Sequence, residues 1–224
     1  QYPAGGVKDS VRYQLMRSRV QVTFEETPGL AAKRFQGMLK EDPNYDPARY
    51  GLAIAHLRGG QLKEAGENLQ PLLTKAPKEL AYNLAQIELD LTAKRLGDAR
   101  LRIEKMLAAF PNNYPVLQAL ADLQVKEGKS AEAEKTLDKL VKQRPFDPDI
   151  WYQVAEVRGQ TGNIIGLHQA RAEYFALVGD YPQAIEQLNF AKRRAASNDP
   201  LASRIDARQQ QLIAEQSIIQ QMMR

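Results

Sequence analysis

Pro43, Pro77, Pro111 and Pro145 stand thirty-four residues apart, and that spacing constrains the fold more than any other feature of the chain. The stretch ahead of each proline repeats in phase. Ala31, Ala65, Ala99 and Ala133 occupy one position; Phe35, Leu69, Ile103 and Leu137 a second; Leu39, Leu73, Leu107 and Val141 a third. Gly60, Gly128 and Gly162 mark a fourth, where the remaining copy has Lys94. A period of this length means one pair of antiparallel helices per repeat. The alanine opens the second helix, where a small side chain lets the first helix approach. The apolar residues four and eight further on lie on one helical face. Proline closes the pair, because it lacks an N–H and holds its predecessor out of the α region. One pair cannot bury its own apolar face, so neighbours must stack.

This pattern resembles the tetratricopeptide repeat (TPR). It implies an all-α, TPR-type helical-repeat solenoid with extra non-TPR helices near the C-terminus. The expected organisation is a linker at 1–6, a solenoid at 7–198 and a C-terminal capping helix at 199–224. A first helix is expected over 8–24, with Leu15, Arg19 and Val22 near the core slots, and a second over 30–41. Repeats two (46–79) and four (114–147) are regular. Repeat three is offset: Ala85 precedes Ala99 by fourteen residues, whereas Ala53 and Ala121 precede their alanines by twelve. Either the loops exchange two residues, or Ile87 fills the small-residue slot and forces the helices apart. The sequence leaves both open. After Pro145 the frame is expected to slip, because Ala184, the next helix-opening alanine, follows Ala133 by fifty-one residues. The helix around 165–178 would then serve both Trp151's helix and the one at 182–195. Asp199-Pro200 reads as a cap and first-turn proline opening the last helix.

The 31 basic and 27 acidic side chains leave a net charge of +4, spread along the chain rather than clustered. A nucleic-acid partner would need a concentrated patch. Lys192-Arg193-Arg194 reads instead as a helix C-terminus, where cations suit the dipole. The absence of cysteine excludes disulfides and thiolate metal sites. No stretch approaches the ~20 apolar residues of a membrane helix, so no membrane insertion is expected. The chain begins at Gln1 without methionine, as expected of a mature or excised segment, so the lack of a targeting signal carries no weight.

Catalysis needs convergent residues, and the pattern offers none. His56 and His168 lie on separate repeats and neither belongs to an H-E-x-x-H. Gly159-Gln160-Thr161-Gly162 lacks the Lys-Ser/Thr of a phosphate loop. Glu25-Glu26 and Glu41-Asp42 read as solvated helix ends rather than a glycosidase pair. The chain is therefore expected to be a non-enzymatic binding protein with no cofactor or metal of its own. In TPR proteins the first helices line the partner-binding face. Projecting the frame places Tyr50, Ile54, Leu57 and Arg58 there from repeat two, Gln118, Asp122 and Val125 from repeat four, and Tyr152 and Glu156 from the helix after it. The Lys and Asn clamp of chaperone-binding TPRs is missing, because Tyr50 and Ile54, and then Gln118 and Asp122, hold those slots.

Two stretches carry a closer resemblance. The opening, Gly6-Val7-Lys8-Asp9-Ser10-Val11-Arg12-Tyr13-Gln14-Leu15-Met16-Arg17-Ser18-Arg19-Val20, is one. His168-Gln169-Ala170-Arg171-Ala172-Glu173-Tyr174, with Gly179-Asp180-Tyr181-Pro182-Gln183-Ala184, is the other. The first resembles the junction after the catalytic domain, and the second the final repeats, of the β-barrel assembly-enhancing protease (BepA) family, H-E-x-x-H zinc enzymes of the bacterial periplasm with a C-terminal TPR half. The resemblance implies zinc in the catalytic half only, with no ligand in this chain. It implies a periplasmic location and a role in docking the protease to the outer-membrane β-barrel assembly machinery. The further partners it implies are misassembled barrel substrates, such as the lipopolysaccharide-export barrel, and the family's own protease domain. A free-standing TPR scaffold in another envelope complex, or a cytoplasmic adaptor, would show the same periodicity. An RNA-binding helical repeat would need its basic residues clustered with aromatics.

Overall fold

The computed structural model describes residues 10–195 and 200–222; the expected linker at 1–6 and Asp199 lie outside them. Among the described residues the chain forms twelve helices and no strand. The first six are α1 (Val11–Phe24), α2 (Pro28–Glu41), α3 (Asp46–Arg58), α4 (Leu62–Lys75), α5 (Leu80–Thr92) and α6 (Leu96–Ala109). The rest are α7 (Tyr114–Lys126), α8 (Ser130–Gln143), α9 (Pro148–Gln160), α10 (Ile164–Leu177), α11 (Tyr181–Arg194) and α12 (Pro200–Met222). They gather into two compact units divided between Pro111 and Asn112. The first holds α1–α6 and the second α7–α12.

The thirty-four-residue frame is visible directly in the helix starts. First helices begin at Asp46, Leu80, Tyr114 and Pro148, and second helices at Leu62, Leu96, Ser130 and Ile164. Each framing proline follows the end of a second helix by two residues. Ala31, Ala65, Ala99 and Ala133 are buried, as are Phe35, Leu69, Ile103 and Leu137. The third phase is only half-buried; Leu72, Met106 and Leu140, one residue earlier, take the core position. Seven residues separate these from the alanine, which is two full turns and keeps them on the same face.

Two irregularities of the frame are resolved here. In repeat three α5 and α6 start on schedule, so the loops do not change length. Ile87 occupies the buried small-residue slot that Ala53, Ala121 and Ala155 hold elsewhere. The bulk of its side chain is felt: α5 and α6 pack less closely than α3 and α4 or α7 and α8. The expected slip after Pro145 is not seen in the helix starts, since Tyr181 follows Pro148 by thirty-three residues. α10 packs on both α9 and α11, the double role expected of it, and here it follows from the ordinary frame.

The turns inside the pairs explain the glycine phase. Gly60, Gly128 and Gly162 have φ of 73°, 72° and 73°, the left-handed conformation that ends a helix by the shortest route. Lys94 is forced into the same turn with φ of 58°. A side chain there costs roughly 1 kcal/mol, and the stacked helices on either side hold it.

Candidate functional site

α3 is apolar on every side, with ten of its thirteen residues buried. Such a helix must be covered all round. α2 and α4 cover two sides, and α1 takes the side expected to face a partner. Leu15, Ser18 and Val22 of α1 are buried, and the two residues flanking Ser18's turn join the same core as Tyr50, Ile54 and Leu57. Those three are consequently 2%, 5% and 7% exposed, so the expectation that they project into an open groove does not hold. Burial pushes the Tyr50 phenol above its ordinary pKa, with Arg19 beside it pulling the other way.

Arg58 is likewise committed. Its guanidinium donates to the Val22 carbonyl at 2.6 Å and the Glu25 carbonyl at 2.8 Å. These are carbonyls at the C-terminal end of α1, where a helix leaves acceptors unsatisfied and favours a cation. Arg19 ties the middle of α1 to α5 through Glu88 at 2.7 Å. α1 leans on α3 far more than on α2, its neighbour in sequence.

The outer side of α1 is apolar as well. Tyr13, Met16, Val20 and Phe24, three, four and four residues apart, are 54%, 65%, 47% and 84% exposed. Arg12 and Arg17 are exposed on the same helix, which contains no acidic residue. Sequence reading found the inner face of α1 and missed this outer stripe. An amphipathic pattern is blurred when both faces carry large side chains.

In the second unit the expected residues are accessible. Tyr152 and Glu156 on α9 and Val125 on α7 are exposed, while Gln118 and Asp122 are half-buried. Gln118 and α9 are joined by a 2.6 Å hydrogen bond from Gln118 Nε2 to Gln153 Oε1. The Tyr152 ring sits edge-on to Tyr174, centroids 5.7 Å apart, which in turn meets Phe175. Burial raises the Asp122 carboxyl above the ordinary value of 3.8, opposed by a hydrogen bond from Gln118 and the charge of Lys126. A raised carboxyl pKa means that the folded state binds its proton more tightly than the unfolded chain. That contribution is present at acidic pH and turns against folding as pH rises past 3.8. Asp122→Asn is therefore expected to raise the second unit's unfolding midpoint at pH 7, with the gain vanishing toward pH 3.5 on the wild type's own titration (roughly half a unit below the unfolded carboxylate value). Equal gains at both pH values would show that the carboxylate is not under strain.

Repeat three carries a polar cluster that the sequence did not flag as a site. Its first helix places Asn83, Gln86 and Asp90 where α7 has Leu117, Leu120 and Gln124. Asp90 is 2% exposed. Its Oδ1 accepts from Arg95 Nη2 at 2.7 Å, Arg95 Nε at 3.1 Å and Gln86 Nε2 at 3.0 Å. A cleft of about 590 Å³ opens beside this cluster between α5 and α6.

Both histidines have polar partners. His56 Nδ1 lies 2.6 Å from Gln61 Oε1, and His168 Nδ1 lies 2.8 Å from Gln187 Oε1 with its ring stacked on Phe190. Among the described residues no group of three or more His, Asp or Glu is placed to hold a metal ion, and no helix is long and apolar enough to cross a membrane.

Comparison with known proteins fits this geometry. Residues 25–87 and 90–156 match the tetratricopeptide repeat family. The chain is 32% identical over 187 residues to the beta-barrel assembly-enhancing protease of Yersinia pestis, covering 83% of this chain and 38% of that protein. Against the beta-barrel assembly-enhancing protease of Escherichia coli K12 it is 30% identical over 166 residues, covering 74% and 34%. It thus spans little more than a third of the length of these curated relatives. Among solved structures it resembles Pseudomonas aeruginosa PilF, with a TM-score of 0.60 and 14% identity over 88% of this chain and 96% of that one. A thermophilic TPR protein of Thermus thermophilus gives 0.57 and 20% over 86% and 96%. At these identities the two structures speak to the fold alone.

Proposed function

We propose a function from one premise: the chain belongs to the tetratricopeptide-repeat family, whose stacked helix pairs present extended surfaces to other polypeptides. The chain is then a protein-interaction module related to the repeat portion of the β-barrel assembly-enhancing proteases. Its role is to dock such a protease, in the periplasm, to the outer-membrane barrel assembly machinery and to barrel substrates that have failed to assemble. It performs no chemistry itself. What carries this reading is that the likeness to those proteases runs through 83% of the present chain, the helical repeats themselves.

The second unit is the natural contact surface, because Tyr152 is exposed there on a firm aromatic base. Tyrosine is enriched among residues that dominate binding energy, where its loss costs ~2 kcal/mol or more. Tyr152→Ala is expected to weaken binding to purified barrel assembly machinery at least about tenfold, which is ~1.4 kcal/mol. Lys139→Ala, at an exposed position on α8, should leave it unchanged. A photo-crosslinker at each position gives the direct reading: adducts with the machinery at 152 and none at 139. The reverse pattern would remove the proposal.

A further inference from the structure

The cluster in repeat three is expensive. Asn83 and Gln86 occupy slots where α7 gains apolar contact from Leu117 and Leu120, and Asp90 puts a full charge in a slot that holds His56 and Gln124 elsewhere. Buried polar groups cost stability unless every one of them is satisfied. Here one is not. Arg102 Nη1 donates to Asn83 Oδ1 at 3.1 Å, but its Nε is buried without an acceptor. The nearest carboxylate oxygen, Asp90 Oδ2, is 3.8 Å away, beyond hydrogen-bonding reach. Departures from local rules of this kind gather at functional sites.

We propose that the cleft between α5 and α6 seats a polypeptide carboxylate, with Arg102 and Arg95 as the two recognising cations. Asp90 holds Arg95 by one edge and leaves the rest of that side chain open, at 47% exposure; Arg102 is 32% exposed. Lys105 adds a third cation to the lining. A guanidinium recognises a carboxylate through two parallel N–H donors; Arg102 keeps its Nε unspent, and Arg95 keeps the edge turned away from Asp90. Asp90 and Asp98 also line the cleft. Their charge disfavours a dianion, so a carboxylate fits better than a phosphate. Exposed Leu101 and buried Met106 provide an apolar wall for the residue carrying the acid. A volume of about 590 Å³ accommodates one or two residues. The cleft is separate from the first-helix slots where chaperone-binding repeats carry their clamp. It draws on the proposed docking role only in taking its ligand to be a polypeptide.

Two sources of carboxylate share this chemistry, a chain terminus and an acidic side chain, and the test separates them. The Arg102 Nε–Hε signal, assigned in ¹⁵N-labelled full chain by its loss in Arg102→Gln, is followed by NMR. The probes are acetyl-Leu-Leu with a free carboxylate, the same dipeptide as its amide, acetyl-Leu-Glu amide, and inorganic phosphate. A saturable shift is expected with the free acid, the glutamyl amide or both, and none with the leucyl amide. Arg102→Gln should weaken the binding at least tenfold, read on neighbouring backbone signals. Should that variant fold poorly, the wild-type titration decides alone. The assignment is overturned if neither carboxylate moves the signal up to about 10 mM, a concentration that detects binding weaker than −4 kcal/mol. It is equally overturned if phosphate alone moves it, or if Arg102→Gln binds as well as wild type. Because the probes are short peptides, failure here leaves the docking role standing, and failed crosslinking at Tyr152 leaves the cleft standing.

Discussion

Phe35→Ala is expected to destabilise the first unit by about 3–5 kcal/mol, more than any surface substitution. The ring is fully buried, and its tip lies against α3 where Gly51 has no side chain. A Cβ added at Gly51 would stand 2.5 Å from two atoms of that ring. Gly51→Ala should therefore overpack the same contact, costing about 1–3 kcal/mol. Because one substitution empties the space that the other fills, their costs should not add. The double variant should be more stable than the sum predicts by at least about 0.5 kcal/mol, the coupling expected of residues in contact. The sole tryptophan, Trp151, lies in the second unit. Unfolding of the first is thus best followed by amide exchange and mass spectrometry, and a whole-chain transition need not be two-state. Simple additivity would mean that Phe35 and Gly51 do not meet.

The second large effect concerns the cover on α3. Leu15→Ala removes a fully buried side chain from α1, an expected loss of about 2–5 kcal/mol. The loss should be local before it is global. α1 has few other attachments, chiefly Val22, the Arg58 bonds and the exposed Arg19–Glu88 pair, and exposed pairs contribute little. Amide exchange in α1 should accelerate well before that in α4. Tyr50→Ala should act similarly, lowering stability rather than only removing a contact surface. If α1 exchanges in Leu15→Ala as slowly as in the wild type, α1 is not held on α3 as described.

The helix pairs, their thirty-four-residue phase and the buried alanines were legible because each is a local pattern with its own physical cause: sterics at proline, close approach at alanine, periodic apolar faces. The candidate surface was legible only in part. Tyr152, Glu156 and Val125 stand open as projected, since in α7 and α9 the frame alone sets which way a side chain points. Tyr50, Ile54 and Leu57 point the same way by that frame and are nonetheless buried, because α1 lies over them.

Sequence alone therefore determined which residues form each pair and which slot each side chain takes. Tertiary structure decided which slots stay accessible. That choice depends on whether an apolar side of one helix finds a second helix to cover it, and a contact between α1 and α3, some thirty-five residues apart in the chain, leaves no mark in a local repeat. The same holds for repeat three. Its composition shows an Ile where a small residue belongs, and an Asn and a Gln where the fourth repeat has Leu117 and Leu120. Only the packed helices show the cleft beside them, lined by an arginine whose buried Nε lacks an acceptor.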